Sequence, residues 1–417
     1  MLRLLVWLAG ALFLLLLAAG GLFLGTLEAR PLVDRPATVT PQAIAQARLL
    51  LLTNDPRRMQ AGEARRTAIP VALLDQAFNY AATRFLNGRA ALKLDQGRTA
   101  ELHFSLRLPW ASAAGHLNVA ASLGDAAGPP RIEALRLGPL NLPAPLAEPL
   151  LDLVLAGAGY GKEWQLARRA IRETRFEAGQ QRVILSYVWQ PALLEHARAL
   201  AVPPAEHTDI RAAQGRLAEL LAERSPGTSI PLTEVLGPML KTDMTAGQSR
   251  AAMLVLAAYM AERNLATLLP EAADWPRPPP LALTLGGRYD SAQHFVISAA
   301  LAVWAGEPLA EAIGTYKELA DARHGYGFSF ADLAADRSGT AFGEQLLKES
   351  PLLRSLLAGE LRDADLLPAL DGLPEYLRQN EFRRRYGGPG NPAYERLLGE
   401  VEQRVMALPL YRRNGMS

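Results

Sequence analysis

Between His294 and Thr340 the chain gathers two histidines with the acids Glu318, Asp321, Asp332 and Asp336, set among many small residues. Three helical periods organise them. Ser291, His294, Ser298, Ala302 and Ala305 recur at three or four, which predicts one face of a helix capped by Asp290 or Ser291 and ended by Gly306. Ala310, Gly314, Lys317 and Asp321 share a face of a second helix, with Glu318 one step round. Gly325 and Gly327 then supply permissive backbone, and Ser329 with Asp332 makes a capping-box-like start to a third helix. On that helix Asp332, Asp336, Gly339 and Gly343 line up. Small residues beside each acid let the axes approach, so His294, Glu318, Asp321, Asp332 and Asp336 are expected to face a shared interior.

Acids gathered in such an interior cannot all stay ionised without cations, protons or donors between them. Three chemistries meet that demand. The first is a satisfied polar network, with Lys317, Arg323 and Arg337 neutralising the acids and Asp332 acting as a cap. The second is acid/base catalysis by carboxylates whose proton affinities repulsion splits: Glu318 or Asp321 as general base, Asp332 and Asp336 as acid or ligands, His294 as proton carrier. The third is a divalent cation on oxygen ligands, drawn from His294, Glu318, Asp321 and Asp336. No dense metal signature such as His-Glu-x-x-His is present.

The order of a His-bearing helix, Lys317-Glu318-x-x-Asp321, a Gly325-x-Gly327-Phe328-Ser329 turn and Asp332-x-x-x-Asp336-x-x-Gly339 resembles small bacterial envelope lipoproteins of unknown function. More faintly, it resembles the VanZ-like membrane proteins. The likeness covers Gln293 to Gly343, and the whole chain is similar to uncharacterised proteobacterial membrane proteins that join such a segment to an N-terminal extension. The resemblance implies an envelope location without a chemistry. It departs from the lipoprotein pattern because there is no cysteine to lipidate.

The wider composition sets the frame that must position these residues. With 417 residues, 49% of them hydrophobic, there is material for two domains. A formal charge of +2 from 44 basic and 42 acidic residues offers no electrostatic case for nucleic acid. The absence of Cys excludes disulfides, thiol catalysis and thiolate metal sites.

An uncharged run from Leu4 to Gly25 follows Arg3. At about 1.5 Å per residue it matches a hydrocarbon core of roughly 30 Å, so a retained N-terminal transmembrane helix is expected over residues 1–30. Leu27-Glu28-Ala29 is the alternative, a cleavage site. Arg3 favours a cytoplasmic N-terminus, which places the remaining chain outside a bacterial inner membrane, single-pass and periplasmic.

Pro31 to Ala37 reads as a tether, and Thr40-Pro41 opens a helix to about Leu52. A polar link with Arg57, Arg58, Arg65 and Arg66 follows, then helix from Ile69-Pro70 to Phe85. From Ala90 the period becomes two: Ala100, Leu102, Phe104, Leu106 and Leu108 alternate with polar residues, as do Leu117, Val119, Ala121 and Leu123. Arg131 to Leu137 and Arg182 to Trp189 fit further strands. Helices at Leu146 to Leu155 and Trp164 to Glu173 can cover the antiparallel sheet, giving an α+β domain over 38–201. This order is similar to anchored extracytoplasmic domains of the lipid-binding tubular class, which implies a groove for an acyl chain.

Val202-Pro203-Pro204 marks a boundary, after which 205–417 is expected to be an all-α domain. Its Trp275 to Pro280 segment reads as a stiff spacer, and Leu281 to Leu285 as a brief strand. Two tempting motifs fail. Gly157 to Lys162 lacks the first Gly and the Ser or Thr of a phosphate loop, and Gly327 to Ala331 lacks the second Gly of a nucleophile elbow. The pattern as a whole points to a membrane-anchored envelope factor that binds a lipid, a glycan precursor or a membrane protein. The rivals are a hydrolase of an envelope substrate using the carboxylate/His cluster, and a structural scaffold.

Overall fold

Alternation of apolar and polar residues drives the first half of the chain into sheets. In the computed structural model, which describes residues 24–55, 58–108, 115–240 and 243–411, the order is β1 (Leu27–Glu28), α1 (Pro41–Thr53), β2 (Ala64–Pro70), α2 (Val71–Leu86), β3 (Gly88–Leu94), β4 (Thr99–Arg107), β5 (His116–Gly124), β6 (Arg131–Leu137) and β7 (Leu140–Leu142). Next come α3 (Ala144–Gly157), α4 (Gly161–Ala170), β8 (Ile171–Glu177), β9 (Arg182–Val188) and α5 (Pro191–Ala201). Two antiparallel sheets result, β3-β4-β5-β6-β7 with β1 on β5, and β2-β9-β8.

Helix α2 joins them. Its Val71, Leu74 and Phe78 pack with Leu92, Leu102, Phe176 and Val183, so side chains fill the space beneath the helix. Asp75 and Asn79 of α2 also accept the backbone N–H groups of Leu92 and Ala90 at 2.8 and 3.1 Å, satisfying donors on the free edge of β3.

The anchor and the tether both need correction. No helix among the described residues is long and apolar enough to cross a membrane, so the expected N-terminal transmembrane helix finds no support in them. Residues 1–23, which hold most of its apolar run, lie outside the described residues. From Leu24 the chain passes at once into buried Thr26 and β1. The supposed tether is fastened: Leu32 N donates to Asn118 Oδ1, Val33 N to Ser105 Oγ, and Arg35 pairs with Asp75 at 2.7 Å.

The polar link is also corrected. Arg65 and Arg66 belong to β2, opposite Tyr187 and Ser186 of β9. The helix expected to reach Glu173 stops at Ala170, and β8 takes over with Thr174 and Phe176 on its buried face. Charged residues on the other face hid both strands.

The chain divides into two compact units, Met1–Val39 with Ala45–Ala197, and Thr40–Ile44 with Arg198–Ser417. The second contains α6 (His207–Leu221), β10 (Ser229–Pro231), α7 (Thr233–Met239), α8 (Ala246–Met260), β11 (Ala282–Thr284), α9 (Tyr289–Ala305), α10 (Glu307–His324), α11 (Phe330–Leu347), α12 (Pro351–Ala358), α13 (Asp363–Leu366), α14 (Gln379–Tyr386) and α15 (Pro392–Met406). It is not all-α, because β10 and β11 pair in parallel. Nor is the proline segment a free spacer. Tyr259 donates to the Pro279 carbonyl at 2.8 Å and Gln214 to that of Pro276 at 2.7 Å.

Two features position the acidic helices of this unit. A Cβ at Gly339 would stand 2.1 Å from the Phe295 carbonyl oxygen, and one at Gly343 2.5 Å from that of Ala299. Only glycine permits α9 and α11 to cross this closely. Phe328, Phe330, Phe382, Tyr386 and Tyr394 form an aromatic cluster that pins the turn between α10 and α11. Phe328 and Leu377 exchange backbone hydrogen bonds across it.

Candidate functional site

Helices α9, α10 and α11 bring His294, Glu318, Asp332 and Asp336 together. Asp336, two helical turns before the second close approach, points back at α9: its Oδ1 lies 3.0 Å from His294 Nδ1 and accepts the Ser298 hydroxyl at 2.7 Å. Gly314 makes the room. A Cβ there would meet Asp336 Oδ2 at 2.8 Å.

The other imidazole nitrogen faces the remaining acids. His294 Nε2 stands 3.6 Å from Asp332 Oδ2 and 4.0 Å from Glu318 Oε1. Lys317 Nζ sits at the same place, 3.1 Å from both Nε2 and Glu318 Oε1 and 2.8 Å from Asp321 Oδ2. Glu318 is 1% exposed, and its Oε2 accepts the Ser329 backbone N–H at 3.0 Å. That bond completes the start of α11 in an unforeseen way. Ser329 caps Asp332 N, but Glu318 rather than Asp332 takes the reciprocal donor. Asp332 is thereby left free to turn toward His294.

Burial pushes the Glu318 carboxyl up to about 7, despite the opposing charges of Lys317 and His294. Asp332 is raised as well, for the same reason. Burial alone would pull His294 down, but the Asp336 carboxylate, with Asp332 behind it and against Lys317, pushes it up to about 9. A protonated Nε2 and a Lys317 ammonium cannot both aim hydrogens at one point. The carboxylates demand one positive charge beside Nε2, and proton and ammonium compete to supply it.

The expected participants thus take different places. Asp321 meets Lys317 and does not touch the imidazole ring, while Asp336 holds Nδ1 rather than facing the Nε2 centre. Among the described residues, the group that brings one ligand atom each within 4.8 Å of the others is His294, Glu318 and Asp332, not the set with Asp321 and Asp336. Of the expected neutralisers only Lys317 serves, since Arg337 pairs with Glu311 and Arg323 is exposed.

Sequence reasoning missed Arg288. Its guanidinium is bidentate to Asp290 at 3.0 and 2.8 Å and to Glu375 at 2.9 and 2.7 Å, and lies 4.0 Å from Asp332. Glu375 stands 87 residues away, so no local spacing announces the pair. Asp336 Oδ2 is buried without a hydrogen-bond partner. It borders a cavity of about 50 Å³ lined also by His294, Ser298, Gly314 and Lys317. A water or an ion fits that space; a substrate group does not.

Comparison of the chain with family models, curated proteins and solved structures finds no match.

Proposed function

We propose that the protein is a hydrolase of an envelope substrate, in which the centre formed by His294, Glu318 and Asp332 activates a water. The observation that carries this reading is the His294–Asp336 contact at 3.0 Å, with two further carboxylates facing the opposite ring nitrogen. Asp336 fixes the ring and its tautomer, in the way a carboxylate orients a catalytic imidazole. Glu318 is too deeply buried to touch a substrate, so it acts on the centre through its charge. The labile bond has to arrive at the mouth, where Lys317 and Asp332 reach the surface. The envelope setting rests on the resemblance of Gln293 to Gly343 to envelope lipoproteins.

The test is hydrolysis of a panel of chromogenic esters and phosphoesters by the full-length chain. His294→Ala and Asp336→Asn should each lower kcat roughly 10²- to 10⁴-fold, the usual contribution of a positioned acid–base group. Turnover unchanged in both variants would sink the reading.

A second reading, ligand binding, is favoured by a cavity of about 410 Å³ in the helical unit, lined by Val255, Tyr259, Leu281 and Tyr289 with Arg263 and Arg277 among its polar residues. That volume is in the range of small-molecule sites. Native mass spectrometry should show a copurifying ligand that Ala258→Trp, which fills the cavity, removes.

A further inference from the structure

The centre around His294 Nε2 has the donors and the spacing of a metal site. We propose that His294 Nε2, Glu318 and Asp332 bind one divalent transition ion, zinc being the fitting probe, and that the Lys317 ammonium is the displaceable occupant of that ion's position.

Ligand atoms about 2.0–2.2 Å from a tetrahedral zinc ion stand roughly 3.4 Å apart. Nε2 lies 3.6 Å from Asp332 Oδ2 and 4.0 Å from Glu318 Oε1, and one ligand atom from each residue lies within 4.8 Å of the others, so the three need only draw together to close the site. One imidazole and two carboxylates suit a borderline ion better than magnesium or calcium. Three protein ligands leave a fourth position for water, the arrangement of catalytic rather than structural zinc.

The surroundings point the same way. Asp336 takes the remaining imidazole nitrogen, which fixes the ring as carboxylates do behind metal-bound histidines. Ser298 in turn orients Asp336. Independently of the acids at Nε2, Asp336 keeps an oxygen with no hydrogen-bond partner although its side chain is only 8% exposed. That oxygen borders the 50 Å³ cavity beside Lys317, where a water or ion can meet it.

Lys317 explains how the acids persist when no ion is bound. Its ammonium touches Nε2 and Glu318 Oε1 at 3.1 Å, yet the side chain is 47% exposed and held outside by Asp321 at 2.8 Å. An ion entering the site repels it outward, where Asp321 receives it.

The proposal deepens the hydrolase reading and rests on it for the reacting water, but ion binding needs no substrate. Titration calorimetry of the chelator-treated, full-length chain with zinc chloride should show one saturable site. Cobalt(II) should give visible d–d bands of a four- or five-coordinate ion at equal stoichiometry. His294→Ala and Asp332→Asn should weaken zinc at least about 100-fold. Lys317→Met, which removes the competing cation, should tighten it about tenfold, whereas loss of a merely structural ion pair would not. Lys317→Gln repeats the measurement if circular dichroism finds Lys317→Met unfolded.

Absence of a saturable site in wild type and the lysine variants overturns the proposal, as does binding that survives His294→Ala and Asp332→Asn. A lysine variant that binds no tighter than wild type overturns the role given to Lys317. Zinc binding without hydrolysis would sink the hydrolase reading alone, and hydrolysis by a protein that binds no metal would sink the ion site alone.

Discussion

The sheet unit and the helical unit bury charged residues to different depths. In the sheet unit, ion pairs such as Arg35–Asp75 and Arg168–Asp152 keep side chains 20–38% exposed, and buried polar groups such as Asn118 and Ser105 bind one another or the backbone. In the helical unit His294, Glu318 and Asp336 are all but removed from water, and carboxylate oxygens of Asp332 and Asp336 stay unsatisfied. Half-exposed pairs cost little and contribute little. Buried, incompletely paired acids lower stability, and a fold retains them where their chemistry is used.

Four measurements can break or sharpen that contrast. The largest effect is expected at the helix crossing beneath the cluster: Gly339→Val drives a branched side chain into the Phe295 carbonyl and should cost about 4 kcal/mol or more, read by chemical denaturation. A smaller loss would mean that the helices can separate without consequence.

The pH dependence comes next. His294 is raised from 6.5 to about 9, so its contribution is complete below pH 6.5 and vanishes as pH rises through 9. Glu318, raised from 4.5 to about 7, favours the folded state while protonated, and that contribution is lost as pH rises through 7. Both have the same sign. In chelator-treated protein, stability should fall by roughly 6 kcal/mol between pH 5 and 9 if the two contributions add, and Tm with it. A flat profile would show that the buried groups are compensated as fully as those of the sheet unit.

In the sheet unit, Asn118→Ala removes the hub that holds the Glu28 carboxylate, the Arg30 carbonyl and Leu32 N. A loss of about 2 kcal/mol is expected, with new proteolytic cleavage after Arg30 or Arg35. Arg168→Ala, which breaks a half-exposed pair with Asp152, should change stability by less than about 1 kcal/mol. A larger effect there would erase the distinction between the units.

Much of the helical scaffold was legible in advance because its signals are local. Gly306 ends α9 at φ 86°, Gly325 ends α10 at φ 94°, and Ser329 caps α11, each as its residue type implies. The alternating strands β3 to β6 were readable for the same reason. What escaped was non-local: β2 and β8, whose outward faces are charged, β10 and its pairing with the expected strand at β11, and the strap of residues 30–36 bonded to Asn118 and Ser105. The candidate site divides along the same line. Its residue types and helical faces could be read from spacing, but Arg288 with Glu375 could not.

The order of residues by itself determined that three helices would carry an imidazole and several acids on faces lined with small side chains, because helical period and capping depend on neighbours a few positions away. Only the tertiary structure decided which acid does what. The glycine-permitted crossing of α9 and α11 sets Asp336 against Nδ1 and Asp332 against Nε2, and the pinned turn gives Glu318 to Ser329. A single helix turn of slip would exchange those partners, and local sequence carries no record of that register.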